Sequence, residues 1–340
     1  MFTTFARDGV YRSHERAAHT LYAPSPPRKV RLPLDQTPHF ATPHVLARLL
    51  NVPAMWRFIR SHSSDRSVWD PANDLELALY ASVFGNNFLH YGYFPELPVD
   101  PETISLATVR QAMNDYASLL TERVRPSERA LDIGCGMGGL LARLCDMGVR
   151  ATGLTPNLAQ AAHIRATWPS IPVVNSTLEA APGAGLQPSF DVLINAESFQ
   201  YIELHSGMAT VRNLFAKDAT NPRWLCIDYF RLNEGARNKS GHLLHAFEAA
   251  LVQHGFEVRD QVDITENVLP SLAYGRMLAR RLALPLVRFS VDKFFLRRPF
   301  LAYLFHDWTV RKVDAVKLDT LDPDVFRRDK RYLLFTLAPR

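Results

Sequence analysis

Cysteine is scarce in this chain of 340 residues, and the three that it has, Cys135, Cys145 and Cys226, are scattered. Thiols so few and so far apart argue against a disulfide framework and against a zinc site. No apolar run reaches the ~18 to 20 residues of a membrane span, and the first residues do not resemble a secretion signal. We therefore expect a cytoplasmic protein with a globular core.

Charge of one sign is not in large excess either. The formal net charge is +5, from 39 basic and 34 acidic residues, and 47% of the chain is hydrophobic. A mild positive charge by itself more often marks a solvated surface than a nucleic-acid partner, and the sequence contains no recognisable nucleic-acid-binding module. We expect no nucleic-acid partner; the partners considered are a small hydrophobic acceptor and, in a homodimer, a second copy of the chain.

From about residue 100 the sequence alternates between strand and helix patterns. Short apolar runs such as "FDVLINA" and "RWLCIDYF" indicate strands, and Pro156–Trp168 and Glu203–Phe215 indicate helices. This alternation predicts an α/β fold with a doubly wound, mostly parallel sheet. The expected segments are 1–79, a basic irregular arm with helices; 80–265, the α/β core; 266–318, an inserted helical cap or substrate lid; and 319–340, the last core strand.

A glycine-rich loop, "LDIGCGMGG", lies between a predicted strand and a predicted helix. Glycines let the backbone turn tightly and approach a ligand, and the start of the helix offers unpaired N–H groups. Gly134, Gly136 and Gly139 fit the G-x-G-x-x-G pattern of dinucleotide sites, whereas the run from Asp132 to Gly138 fits D-x-G-x-G-x-G. A carboxylate at the strand end suits a cationic cofactor better than a pyrophosphate. The second pattern is therefore favoured, and a NAD(P)-dependent oxidoreductase, which the first pattern would indicate, is a remote alternative.

The D-x-G-x-G-x-G pattern is typical of S-adenosylmethionine-dependent methyltransferases of the Rossmann-like class. This resemblance implies S-adenosylmethionine as the cofactor, and the loop residues it assigns to binding are Asp132, Gly134, Cys135, Gly136 and Gly138.

The segment "GLTPNLAQ", downstream of the loop, contains no acid. A dinucleotide-binding domain normally places an Asp or Glu there, against the ribose hydroxyls. The segment instead resembles the G-x-T-x-S-x-x-Q motif of the cyclopropane fatty acid synthase and mycolic acid methyltransferase group. That resemblance implies that Thr155 and Gln160 serve the ribose side of the cofactor, with Pro156 beside them.

Two further segments resemble this group and the related geranyl diphosphate C-methyltransferases. "FLHYGYF" looks like the aromatic signature before their core, which implies that Tyr91 and Tyr93 cover the methionine portion of the cofactor and the mouth of the site. "FDVLINAESFQYIEL" looks like their fourth-strand motif, which implies that Glu197 lies near the methyl acceptor, with Asn195 on the cofactor side. The implied fold is the Rossmann-like class I methyltransferase fold with a seven-stranded sheet.

The sequence also departs from the pattern of this group. In "VVNSTLEAAP" Ser176 and Thr177 stand where an acid usually meets the adenine amino group, so the adenine contact falls to a hydroxyl, to the N–H of Leu178 or to Glu179. The F-E-H tripeptide of the cyclopropane synthases is "FQY" at 199–201, without the acid or the imidazole. This departure argues against cyclopropanation.

Methyl transfer to an alkene carbon leaves a carbocation, which aromatic faces stabilise and which a carboxylate quenches by removing a proton. We predict C-methylation of an isoprenoid or another hydrophobic secondary metabolite. The expected catalytic residues are Glu197, Tyr91, Tyr201 and His90. The aromatic residues expected around the acceptor are Tyr91, Tyr93, Phe94, Phe199 and Tyr201. Methylation at oxygen or nitrogen is the alternative, with His90, His205 or His242 as the base.

Residues 276–312 are rich in basic and aromatic side chains and contain only Asp292 and Asp307 as acids. Three interpretations stay open: a cap whose charges are solvated, a lipophilic substrate chamber with a basic mouth, and an interfacial helix in peripheral contact with anionic lipid. If the acceptor carries a diphosphate, Mg²⁺ is expected with it. The sequence itself predicts no metal-ligating residues.

Overall fold

One sheet organises the part of the chain that the computed structural model describes, which is residues 51–54, 56, 57, 83–236 and 238–340. Its seven strands follow the order β3-β2-β1-β4-β5-β7-β6. The strands are β1 (Arg129–Ile133), β2 (Arg150–Thr155), β3 (Val173–Asn175), β4 (Val192–Ala196), β5 (Arg223–Arg231), β6 (Phe256–Asp263) and β7 (Lys330–Pro339). The predicted basic arm over 1–79 lies almost entirely outside the described residues.

Helices alternate with the strands as far as β6, except that β3 is followed directly by β4. The α-helices of the described residues are α1 (Leu106–Thr121), α2 (Gly139–Asp146), α3 (Leu158–Thr167), α4 (Leu204–Asn213), α5 (Leu244–Gln253), α6 (Thr265–Leu278), α7 (Leu284–Leu296), α8 (Pro299–Asp314) and α9 (Pro323–Asp329). Side-chain caps fix two of the starts that bear on the site. Asn157 accepts hydrogen bonds from the first backbone N–H groups of α3, and Glu203 does the same for α4.

The strand order creates a crevice beside β1. Strand β1 pairs in parallel with β2 on one side and with β4 on the other. The chain runs outward from β1 to β3 and then crosses back to β4, so the loops after β1 and β4 leave the sheet in opposite directions; ligands bind in open α/β sheets at such a point. Strand β7 is antiparallel and lies between β5 and β6. The predicted doubly wound, mostly parallel sheet is confirmed.

Apolar side chains cover the sheet on both faces. One cluster includes Tyr116 of α1 and Tyr332 of β7, and the other includes Phe199, Trp224 and Phe247. Strand β4 is buried over almost its whole length. A parallel strand covered on both faces is expected to be an apolar run, as "VLI" at 192–194 is.

Helices α6 to α9 occupy the chain between β6 and β7. Helix α6 buries Val268, Leu269 and Leu272 in the core, and a π-helical turn, Ala279–Ala283, links it to α7. Of the described side chains of α7 and α8, only that of Phe295 is buried. Within the described ranges, no helix is both long and apolar enough to cross a membrane.

Candidate active site

A cavity of about 850 Å³ opens at the carboxyl ends of β1, β2, β3 and β4. Its volume falls in the usual range for a small-molecule site. The predicted site residues that line it are His90, Asp132, Gly134, Cys135, Gly136, Thr155, Pro156, Gln160, Thr177, Leu178, Glu179, Glu197 and Tyr201. The predicted site residues absent from its lining are Tyr91, Tyr93, Gly138 and Asn195.

The glycine loop after β1 forms the floor of the cavity, and its glycines are required by geometry. Gly134 and Gly136 have φ of +76° and +54°, a region that favours glycine. A Cβ on Gly134 would lie 2.4 Å from Cβ of Ser198, and one on Gly136 would lie 3.2 Å from Leu89. The loop is therefore held between the end of β4 and the segment before α1.

Gly138 lies at the start of α2, where it allows close packing against α3. Its φ is +85°, it caps the amino-terminus of α2, and a Cβ there would lie 2.9 Å from the side chain of Ile164 on α3. The residue faces helix α3 rather than the cavity. Its glycine is needed for close packing, and its predicted contact with the cofactor stays a prediction.

Asp132 carries the main electrostatic feature of the cavity. Its side chain is 2% exposed, and Oδ2 is buried without a hydrogen-bond partner among the described residues. Burial raises the pKa of this carboxyl to about 7. A buried carboxylate without a partner destabilises the free protein and is stabilised by a cation that enters the cavity. The site therefore suits a positively charged ligand.

Thr155 and Gln160 lie together at the turn between β2 and α3. The hydroxyl of Thr155 donates to Oε1 of Gln160 at 2.6 Å and accepts from the N–H of Asn157 at 3.2 Å. Thr155 is 1% exposed, so its hydroxyl serves the turn and orients Gln160, which lines the cavity. Both residues line the cavity, and Gln160, which is half-buried, is the more accessible to a ligand.

Glu197 follows β4 at the edge of the cavity in an unusual backbone conformation. Its φ is +52°, which is uncommon for a residue other than glycine and marks local strain. Oε1 accepts from the hydroxyl of Tyr332 at 2.5 Å and from the N–H of Tyr91 at 2.7 Å. Burial raises the pKa of Glu197 to about 8, although both hydrogen bonds oppose the rise. The carboxyl is therefore fixed in position and close to its titration range at neutral pH.

A chain of tyrosine hydroxyls supports Glu197, and sequence reasoning missed it. The hydroxyl of Tyr332 on β7 lies 2.9 Å from that of Tyr116 on α1, and both side chains are fully buried. The signal was a tyrosine in the apolar strand "RYLLFTLAP", because a buried tyrosine hydroxyl needs a polar partner. The identity of that partner depends on tertiary structure.

His90 lies beside this network as a neutral base. Its Nδ1 is 2.8 Å from the carbonyl oxygen of Tyr91, so Nδ1 carries the proton and donates it. Its Nε2 is buried with no partner in the described part of the chain, and the ring stacks on Tyr116 at 4.0 Å between centroids. Burial lowers the pKa of His90 to about 4. The other two candidates lie outside the cavity lining: His205 contacts His254, and His242 contacts the carbonyl of Phe199.

Four of the five aromatic residues predicted around Glu197 pack against core side chains: Tyr91, Tyr93, Phe94 and Phe199. The ring of Tyr91 packs on Tyr332, Phe199 is buried among core aromatics, and Phe94 belongs to a separate apolar cluster. Tyr93 packs against the core and donates its backbone N–H to Ala112.

The aromatic side chains of the described lining are Phe88 and Tyr201, and Tyr201 is 81% exposed.

Asn195 is a structural residue and not a lining residue. Its side-chain oxygen accepts from the indole N–H of Trp224 at 2.9 Å, and its amide donates to Oγ of Ser198 at 2.8 Å. Ser198 in turn donates to the carbonyl of Ile133 at 2.5 Å. Asn195 thus ties the end of β4 to the end of β1 from inside the core.

The charged groups of the cavity lining are acidic. Asp132, Glu179 and Glu197 contribute carboxyls, and the described lining contains no Lys or Arg. Residues 266–318 supply none of the described lining, and their role as a helical cap or substrate lid stays a prediction. They lie outside the lining because α6 uses its apolar face to cover the core, and α7 and α8 pack against each other.

No protein-family model matches the chain. Solved structures similar to it include geranyl diphosphate C-methyltransferase from Streptomyces coelicolor, with Mg²⁺, geranyl diphosphate and S-adenosyl-L-homocysteine, at a TM-score of 0.56 and 16% identity over 76% of this chain and 94% of that one. The (4+2)-cyclase SpnF is similar at a TM-score of 0.56 and 18% identity, over 78% of this chain and 93% of that one. A protein described as a sarcosine dimethylglycine methyltransferase from Galdieria sulphuraria is similar at a TM-score of 0.52 and 13% identity, over 78% of this chain and 97% of that one. Together with the strand order, these likenesses show that the chain has the class I methyltransferase fold.

Proposed function

We propose that this protein transfers a methyl group from S-adenosylmethionine to a hydrophobic small molecule. The observation that carries the proposal is the unpartnered, buried carboxyl of Asp132 beside the glycine loop, in a cavity whose lining is acidic. When bound, S-adenosylmethionine supplies a methyl group on a positively charged sulfonium and also carries a cationic ammonium. The fold alone does not decide the reaction, since one protein of similar fold is named as a cyclase.

The residues of the cavity fit this cofactor. Asp132 would pair with the ammonium, and the glycine loop would let the backbone approach the ligand. Gln160, oriented by Thr155, would meet the ribose, and the adenine would lie near Thr177, Leu178 and Glu179. An anionic pyrophosphate, as in NAD, would instead face an unpaired carboxyl.

Glu197 is the residue we assign to proton removal after methylation at an alkene carbon. Both of its described side-chain hydrogen bonds fall on Oε1, so Oε2 is the oxygen that can exchange a proton with a ligand. A cation in the cavity favours the ionised form, which brings the raised pKa of Glu197 back toward neutral pH. In the proposed step, the π electrons of the alkene would bond to the methyl carbon while the methyl–sulfur bond breaks and its electron pair leaves with S-adenosylhomocysteine. The carbocation would then lose a neighbouring C–H proton to Glu197, and the C–H electrons would restore the double bond.

The lining favours a neutral acceptor over a diphosphate. Lys or Arg side chains normally neutralise a diphosphate, and the described lining supplies carboxyls instead. Within the described residues there is also no group of three or more His, Cys, Asp or Glu side chains that could hold a metal ion. We propose an uncharged isoprenoid or a similar lipophilic metabolite, which gives no role to the Mg²⁺ expected with a diphosphate.

Methylation at oxygen or nitrogen is the second candidate, and one observation favours it. The Nε2 lone pair of His90 is buried without a partner, and the hydrogen bond to Tyr91 fixes the neutral tautomer. Such a group is placed to take a proton from a hydroxyl or an amine, but burial lowers the pKa of His90 to about 4 and makes it a weak base. His90→Gln would then stop the reaction, whereas it would have little effect on alkene methylation.

Two measurements test the proposal. Calorimetry should detect binding of S-adenosylhomocysteine and not of NAD; Asp132→Asn should abolish that binding, and Asp146→Asn, on an exposed aspartate of α2, should not. The enzyme should then be incubated with cofactor carrying a carbon-labelled methyl group and with a lipophilic cell extract divided by anion exchange. A labelled product from the unretained fraction, with its methyl on carbon by NMR, supports alkene methylation of a neutral acceptor. A product only from the retained fraction would overturn the neutral acceptor, and NAD binding would overturn the cofactor.

A further inference from the structure

Helices α7 and α8, residues 284–314, form a hairpin with an unusually apolar surface. Leu296, Phe300 and Tyr303 are 83%, 73% and 89% exposed. The other large apolar side chains exposed on the hairpin are Leu286, Val287, Phe289, Phe294, Phe305 and Trp308. Isolated exposed apolar residues are ordinary, but a run of them along two adjacent helices marks an interaction surface.

Positive charge is concentrated around the same surface. Residues 276–317 contain ten Lys and Arg against three Asp, a formal charge of +7, while the whole chain carries +5. The ion pairs Arg276–Asp322, Arg281–Glu102 and Arg288–Asp292 account for a minority of these cations. The cations of this segment without an ion pair to any described residue are Arg280, Lys293, Arg297, Arg298, Arg311, Lys312 and Lys317.

Cations and exposed rings are arranged in pairs on the hairpin. The guanidinium of Arg298 lies 4.3 Å from the ring centre of Phe294. The ammonium groups of Lys293 and Lys312 lie 5.6 Å and 5.9 Å from the rings of Phe289 and Trp308. A long cationic side chain beside an apolar one can keep its charge at an interface while its stem and its neighbour enter an apolar phase.

We propose that the hairpin binds peripherally to an anionic lipid surface. Aromatic and aliphatic side chains would enter the boundary between headgroups and acyl chains, and the cations would meet lipid phosphates. A second copy of the chain is a poorer occupant, because self-association through this face would bring two strongly basic surfaces together. This inference rests on the surface of the hairpin and is independent of the proposed chemistry.

Flotation of the full-length chain with lipid vesicles tests the proposal. We expect binding to phosphatidylcholine vesicles that contain about one-third phosphatidylglycerol, much weaker binding to pure phosphatidylcholine, and loss of binding as salt is raised. Phe300→Ser with Trp308→Ser, and separately Arg297→Glu with Arg298→Glu, should each reduce the bound fraction about tenfold or more. Arg165→Glu with Lys217→Glu makes the same charge change on exposed sites elsewhere and should leave binding within about twofold of wild type.

A spectroscopic readout separates insertion from loose adsorption. Tryptophan emission should shift to the blue with anionic vesicles, and the shift should shrink in Trp308→Phe while flotation persists. Far-UV circular dichroism checks that each variant is folded. Failure of the wild-type chain to float, or an equal loss in the Arg165/Lys217 control, would overturn the proposal. A wild-type dimer in sedimentation velocity that dissociates in the Phe300/Trp308 variant, with no vesicle binding, would assign the surface to a second copy instead.

Discussion

Polar side chains usually lie in water and apolar ones in the core. The cavity at the carboxyl ends of the strands (the cleft) and the hairpin both depart from this rule, in opposite ways. In the cleft, Asp132 and Glu197 are carboxyls removed from water, with pKa values raised to about 7 and about 8 by burial. On the hairpin, large apolar side chains such as Leu296 and Tyr303 lie in water. Neither arrangement stabilises the free protein. Each suits a ligand of complementary chemistry: a cation in the cleft, and an apolar phase with a negative surface at the hairpin.

The largest expected effect tests the chemistry of the cleft. Glu197→Gln keeps the size of the side chain and its ability to accept from Tyr332 and Tyr91, but removes the base. Turnover should fall by roughly 10²- to 10⁴-fold, the usual contribution of a general base. Affinity for S-adenosylhomocysteine by calorimetry should change little. Full turnover in this variant would remove Glu197 from the mechanism and leave His90 as the candidate base.

The second prediction tests whether the ionised carboxylate of Asp132 destabilises the free protein. Its folded-state pKa is raised above the ordinary value of 3.8 to about 7, so the neutral carboxyl is favoured in the fold. Stability from this group is present below about pH 4 and is lost as pH rises toward 7. Asp132→Asn should therefore raise the free energy of unfolding at about pH 8 by up to roughly 2–4 kcal/mol, with no gain at about pH 4.

The same substitution should greatly weaken S-adenosylhomocysteine binding, so one change is expected to increase stability and remove function. Denaturant unfolding at both pH values provides the measurement. A variant less stable than wild type at the higher pH would show that Asp132 is satisfied by the fold and is not held ready for a ligand. Asp146→Asn, on the surface of α2, is the matched control and should be close to neutral at both.

Features that depend on residues close together in the sequence could be predicted, whereas features that depend on residues far apart could not. Asp132 and the glycine loop are a strand, a turn and a helix start in one short run, so local pattern was enough. Tyr332 reaches Glu197 across 135 positions of sequence, and only the antiparallel insertion of β7 between β5 and β6 brings them together.

The packing of the aromatic residues expected around Glu197 was unpredictable for the same reason. Composition identified the rings of Tyr91 and Phe199, but the side of the chain on which each ring lies depends on what the neighbouring elements leave to be covered. The hairpin gave the converse case. Its basic and aromatic content was evident in the sequence, whereas its separation from the cavity depends on α6 covering the core.

The third prediction compares two adjacent phenylalanines of the hairpin. Phe295 is 8% exposed and packs on His306, and Phe294 is 45% exposed. Phe295→Ala should destabilise the hairpin by about 3 kcal/mol, because it leaves a cavity between α7 and α8. Phe294→Ala should cost less than about 0.5 kcal/mol, as expected for an exposed site. Hydrogen exchange of the α7 and α8 amides measures both changes. Equal losses would show that the exposed rings hold the hairpin together and are not held ready for an external surface.

The smallest expected effect tests which residues contact the ribose and which contact the adenine of the cofactor. Gln160 is a neutral group oriented by Thr155, so Gln160→Ala should weaken S-adenosylhomocysteine binding by about 0.5 to 1.5 kcal/mol, the net value of one hydrogen bond. Glu179 is exposed at the far side of the lining, and Glu179→Ala should have a smaller effect, because solvent competes for the same contact. Calorimetry of both variants, with adenosine as a second probe, makes the comparison. A larger loss from Glu179→Ala would mean that the acid after β3, and not the neutral pair after β2, holds the ribose; the substitute for the missing acid in "GLTPNLAQ" would then lie one strand further along the sheet.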